Sequence, residues 1–141
     1  MQPHNIADKL EIDTLTKMFF NIFNNTNKQQ PNWETIDTIC IAQTIIIKKS
    51  GTTEEVYTLS SFIEPRKKIL SDGTLTNFKE SEIHEETNII GNIGQRFSKF
   101  EKSGYLNGEY FKAYGNKLFQ FIKTTTGWKI NAVIWEDDTN E

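Results

Sequence analysis

The sequence predicts an α+β fold, with N-terminal helices packed on a strongly bent antiparallel sheet. Three observations lead there. Apolar residues recur at helical spacing early in the chain, β-branched and aromatic residues dominate the second half between turn signals, and no repeat or linker divides the two. With 141 residues, 36% hydrophobic and 25% charged, the chain suits one domain with one core and is too apolar for disorder. The expected unit spans 1–141, with fraying at 1–5 and 137–141.

The first helix is expected over 6–24, where Ile12, Leu15, Met18, Phe19, Ile22 and Phe23 form one stripe. Asn24-Asn25-Thr26-Asn27 ends it, because short polar side chains compete for the backbone. Pro31-Asn32 introduces a shorter helix carrying Trp33 and Ile36. Residues 43–49 read as a strand closed by Ser50-Gly51. Thr58 is the N-cap of a third helix to Leu70, which Pro65 should kink or restart. Leu59, Phe62, Ile63, Ile69 and Leu70 share its core stripe with Arg66. A guanidinium on such a stripe either packs its stem and snorkels to the rim, or lines an internal cavity.

A meander follows. Gly91-Asn92 is a hairpin turn between strands at 76–90 and 93–102. A longer connection through Ser103 to Gly108 leads to a strand at 109–123, where Gly115 suggests a bulge or bend. The last strand spans 128–136. If Thr124 and Gly127 flank its turn, Phe121 opposes Ile130, Phe119 opposes Ala132, and Lys123 opposes Trp128 on the helix-facing side. Leu118, Gln120, Ile122, Asn131, Val133 and Trp135 then form an outer face too apolar for water. A homodimer across that face is the simplest cover for it.

Several classes are disfavoured. The net charge of −3, with Arg66-Lys67-Lys68 the only basic run, argues against nucleic acid. No apolar stretch approaches a membrane span, and Met1-Gln2-Pro3-His4-Asn5 does not resemble a signal peptide. The sequon Asn24-Asn25-Thr26 is then a chance match, and Cys40 in its apolar run is a buried, inert thiol. Cytoplasmic residence is expected.

Phe62-Ile63-Glu64-Pro65-Arg66, Phe78-Lys79-Glu80, Ile90-Gly91-Asn92-Ile93, Ser98-Lys99-Phe100, Gln120-Phe121 and Gly127-Trp128-Lys129-Ile130 together resemble the nuclear transport factor 2-like superfamily, and more narrowly its SnoaL-like members, over 10–138. The resemblance implies a cystatin-like cone: a curved sheet wrapped round a long helix and open at one end into a pocket. It also implies frequent pairing through the sheets. Related isomerases use a carboxylate base with Tyr and an acid donor, and related epoxide hydrolases use an Asp-Arg-Asp set. Neither lays onto this chain residue by residue, since aspartates are scarce in the meander and Tyr114 precedes Gly115 where Arg would be expected. Fold alone does not carry chemistry.

The most chemical-looking stretch is Glu80-Ser81-Glu82-Ile83-His84-Glu85-Glu86. Strand alternation puts Glu80, Glu82 and His84 on one face, about 7 Å apart. The plain reading is a solvated, charged edge. Alternatives are an acid–base group in a pocket or, less in keeping with the pattern, a metal site; no metal or cofactor is expected. Glu85 should lie near Arg96 as a surface ion pair worth about 0–1 kcal/mol. Phe19, Phe23, Trp33, Arg66, Phe119 and Phe121 are candidate pocket residues, the aromatics otherwise being plain core.

Three functions remain open. The first is a pocket protein binding a small apolar molecule with a polar group. The second is an isomerase, dehydratase or cyclase using His84 or a Glu as base with Arg66 as stabiliser. The third is a dimeric interaction module.

Overall fold

A computed structural model describes residues 3–138, with side chains from Ile6 onward; 1–2 and 139–141 lie outside the described residues. Helix α1 (Pro3–Asn21) leads through a 3-10 turn (Thr26–Lys28) to α2 (Thr35–Ile39). Then come β1 (Cys40–Ser50), β2 (Thr53–Tyr57), α3 (Leu59–Ser71), β3 (Leu75–Ile90), β4 (Ile93–Leu106), β5 (Glu109–Thr124) and β6 (Gly127–Asp137). The strands form one six-stranded sheet in the order β2-β1-β6-β5-β4-β3. Only β1 and β6 run parallel; the other pairs are antiparallel.

Three helices form near the expected places, but α1 ends at Asn21 and α2 begins at Thr35, beyond Trp33. Ile12, Leu15, Phe19, Ile22 and Phe23 are buried, while Met18 is exposed and Phe20 takes an inward place beside Phe19. Asn24 Oδ1 accepts from the Thr26 backbone and hydroxyl, closing the turn beyond α1. Asn25 is buried and bonds the backbone of Leu70, Leu75 and Phe78, stitching the end of α1 to α3 and β3. Thr58 caps α3 in a reciprocal box with Ser61. Pro65 sits within one unbroken helix rather than restarting it.

Trp128 fastens α1 to β6. Its backbone N–H donates to Glu11 (2.7 Å) and its indole N–H to the buried Asp8 (2.9 Å). Asp137, expected to fray, is the last residue of β6 and pairs with Lys102 at 3.0 Å. The connection expected over Ser103 to Gly108 is instead strand through Leu106 followed by a tight Asn107-Gly108 turn, both residues at positive φ. Gly115 forms no bulge. Its register with Phe100 and Asp137 is regular, and a Cβ there would collide with the Phe100 ring and lie 2.6 Å from the Glu136 carbonyl.

Bulges elsewhere bend the sheet and reassign its faces. Phe121 opposes Ile130 as expected, but Phe119 opposes Val133, so β6 carries an extra residue at Asn131. Beyond that point Val133 and Trp135 turn inward and are buried, while Ala132 and Ile134 turn outward. The placing of Val133 and Trp135 on an outer dimer face is therefore corrected. Leu118, Gln120, Ile122 and Asn131 remain on that face, joined by Phe97 and Ile93 of β4 and Ile134 of β6.

Candidate functional site

Between α1, α3 and the concave face of the sheet lies a cavity of about 550 Å³, within the roughly 300–1,000 Å³ typical of small-molecule sites. Phe19 of α1, Phe23 just beyond its end, Phe62 of α3, Phe78 of β3, Phe111 of β5 and Trp135 of β6 supply its aromatic wall. Its polar groups are Lys48, Arg66, Glu80, Lys102 and Lys117.

Lys117 shares the inward period of β5 with the core residues Phe119 and Phe121 and lines the cavity. Its Nζ lies 3.0 Å from Glu80 Oε2, with the two side chains 6% and 8% exposed. The ring of Phe100, seated against the missing side chain of Gly115, lies 4.1 Å from that Nζ, and Trp135 lies at 5.2 Å. Burial pushes the Lys117 amine below the ordinary lysine range, and Glu80 offsets part of that shift. Lys102 pairs with Asp137 at 3.0 Å.

Arg66 lines the cavity from α3. Its guanidinium carbon is 4.0 Å from the Phe62 ring centroid and 5.5 Å from those of Tyr57 and Trp135. Nη1 donates to the Phe62 carbonyl at 3.0 Å. Burial draws its proton affinity below the usual arginine range; the Tyr57 hydroxyl beside it acts the other way, as do the more distant Glu80 and Glu55. Among the described residues no carboxylate forms an ion pair with Arg66 or Lys48.

Of the pocket residues expected from sequence, Phe19, Phe23 and Arg66 line this cavity. Trp33 does not; it borders a separate groove between α2 and α3. Phe119 and Phe121 are nearly inaccessible core, stacked at 5.9 Å, with Phe119 edge-on to Phe19. Trp135, Lys117, Lys102 and Lys48 were missed as pocket residues. The alternation of β5 was the available sign for Lys117, since it shares a period with Phe119 and Phe121.

Glu80, Glu82 and His84 do not share a face. An extra residue at Ile83 breaks the register between Glu82 and His84, so both glutamates point inward and His84 turns out to solvent, its side chain 65% exposed. His84 is thereby removed as a pocket acid or base. Glu82 goes to a different place from Glu80: it accepts from Arg96 Nε at 2.9 Å and Nη2 at 2.6 Å, beneath α1. Arg96 is 4% exposed and also meets Asp13 at 2.6 Å and Glu85 at 3.6 Å. The expected Glu85–Arg96 pair exists, but at a buried arginine rather than on the surface.

Among the described residues no group of three or more His, Cys, Asp or Glu is placed to hold a metal ion. Cys40 is buried, and burial pushes its thiol up to about 12, which keeps it unreactive. No described helix is long and apolar enough to cross a membrane.

No protein-family model matches the chain, and no curated protein does. Solved structures do. A nuclear transport factor 2-like protein from Salmonella enterica serovar Typhimurium superposes with TM-score 0.78 at 14% identity, covering 96% of this chain and 94% of its own. A nuclear transport factor 2-like protein with a cystatin-like fold from Novosphingobium aromaticivorans gives 0.74 at 10%, covering 98% and 86%. The association domain of CaMKII from C. elegans gives 0.71 at 15%, covering 95% and 98%. At these identities the likeness establishes the fold: the chain has the nuclear transport factor 2-like, cystatin-like α+β architecture.

Proposed function

We propose that the chain is a one-domain pocket protein that binds a small molecule with an apolar body and a polar group. The observation that carries this reading is a cavity of about 550 Å³ walled by aromatics that nevertheless keeps a buried Lys117–Glu80 pair. Burying an ion pair costs desolvation that well-packed apolar residues would avoid. Its presence beside open space fits a site kept for a ligand. The isomerase or cyclase alternative keeps Glu80 as its candidate base, but Lys117 already holds that carboxylate at 3.0 Å. A free, buried Cys40 fits a reducing, cytoplasmic setting.

A thermal-shift panel of aromatic and medium-chain aliphatic molecules bearing one polar group tests the reading. At a hundredfold excess over Kd a ligand should add about 2.7 kcal/mol, a rise of roughly 5–10 °C for a domain of this size. No rise from any member of the panel would refute it.

A homodimer across the outer sheet face accompanies this proposal. Ile93 with Ile122, and Phe97 with Leu118 and Ile134, form apolar rows on either side of Gln95 and Gln120. Phe97, Leu118 and Ile134 are 41%, 49% and 40% exposed. Asn131 donates to Gln120 at 3.2 Å, while its own Oδ1 is buried and has no partner among the described residues. A second copy would cover both rows. The association-domain name of one structural relative points the same way. Light scattering should give twice the chain mass at micromolar concentration, and Leu118→Glu should halve it. A monomeric wild type would refute the dimer.

A further inference from the structure

We infer that the cavity selects a monocarboxylate with an apolar, preferably aromatic, body, and that Arg66 is the residue that receives the carboxylate. The inference rests on the pocket reading and names its ligand class. Of the cations on the cavity wall, Lys117 and Lys102 are already matched by Glu80 and Asp137 at 3.0 Å each. Arg66 and Lys48 have no carboxylate at ion-pair distance among the described residues. The cavity wall therefore carries two cations that lack a carboxylate at ion-pair distance among the described residues.

Arg66 is also the better prepared of the two. Its plane is held against Phe62 at 4.0 Å, with Tyr57 and Trp135 alongside. Its one hydrogen bond to the backbone of its own helix, Nη1 to the Phe62 carbonyl, fixes one corner. A guanidinium presents five N–H donors in a rigid fork, and a carboxylate can take two of them side by side. A partly desolvated arginine gains more from such a partner than an exposed one does, because water no longer competes as well. Lys48, from β1 on the same inner face, supplies a second charge without fixing direction. Glu80 in the same space disfavours a dianion, whose second charge it would repel. The aromatic wall accounts for the rest of the ligand.

Calorimetric titration of wild type with benzoate, 3-phenylpropionate, 4-phenylbutyrate and decanoate, each against its neutral amide, tests this. The best carboxylate should bind about 10–100-fold tighter than its amide, the range expected for a charge-assisted hydrogen bond. In Arg66→Gln the preference should fall close to unity while the amide still binds. Equal affinity of acid and amide in wild type, or an undiminished preference in Arg66→Gln, would overturn the anion inference and leave the pocket standing. If neither acids nor amides bind, the pocket reading falls with it. The wild-type comparison decides the matter even where Arg66→Gln does not fold.

Discussion

Lys117→Met should lower the free energy of unfolding by about 3–5 kcal/mol, because it leaves the Glu80 carboxylate buried without its partner. Urea titration read by tryptophan fluorescence measures this directly. The double variant Lys117→Met, Glu80→Leu should recover to within about 1 kcal/mol of wild type or surpass it, since two apolar side chains avoid the desolvation both ions suffer. Recovery would mean that the pair is held in the cavity for what enters it and not for the fold. If the single variant is as stable as wild type, Glu80 must reach water without Lys117, and the wall is more open than the 8% exposure of that side chain implies.

Arg96→Met should cost a similar 3–5 kcal/mol through a different cluster. Arg96 is 4% exposed and holds Glu82 by two nitrogens, with Asp13 and Glu85 beside it. Its loss leaves carboxylates of α1 and β3 facing one another, with Lys9 as the remaining cation paired to them among the described residues. The pH dependence supplies a second readout. For Asp13 and Glu85, burial is the largest single influence and pushes the carboxyls up. Hydrogen bonds outweigh it, from Lys9 and Arg96 to Asp13 and from Thr87 and Lys9 to Glu85, and hold both below the ordinary range.

Such carboxylates contribute stability above the unfolded value, about pH 4, and that contribution is lost as pH falls through the lowered folded values. The deficit of Arg96→Met should therefore be greatest at neutral pH and shrink below about pH 4, where protonation relieves the carboxylates in both proteins. A deficit independent of pH would mean that lost packing, not charge, accounts for it.

How much of this was legible in the sequence depends on what each feature needs in order to form. The stripe from Ile12 to Phe23, Met18 apart, the Thr58 cap and the Gly91-Asn92 turn are local and form as the sequence indicates. The Asn107-Gly108 turn is equally local, and its Asn-Gly pair with positive φ at both residues is a hairpin signal, not the longer connection expected there. The edge strand β2 is not legible in the sequence, because Thr53 to Val56 are all exposed and carry no alternation of their own.

The site was misread where two strands had to be considered together. A bulge is a mismatch in length between partners, and nothing in Ile83 or Asn131 alone announces one. Each inverts every face assignment beyond it. The first sent His84 to solvent; the second brought Val133 and Trp135 inward and put Trp135 on the cavity wall. Arg66 was readable as an unusual charge on a core stripe, and the structure makes it part of the cavity wall.

The most direct test of the cavity as a binding site is a crystal structure grown with 4-phenylbutyrate. Density is expected in the cavity against Phe78 and Phe111, with the carboxylate within hydrogen-bond reach of the Arg66 guanidinium. A cavity closed by its own side chains, or filled only with water while the probe sits elsewhere, would contradict it.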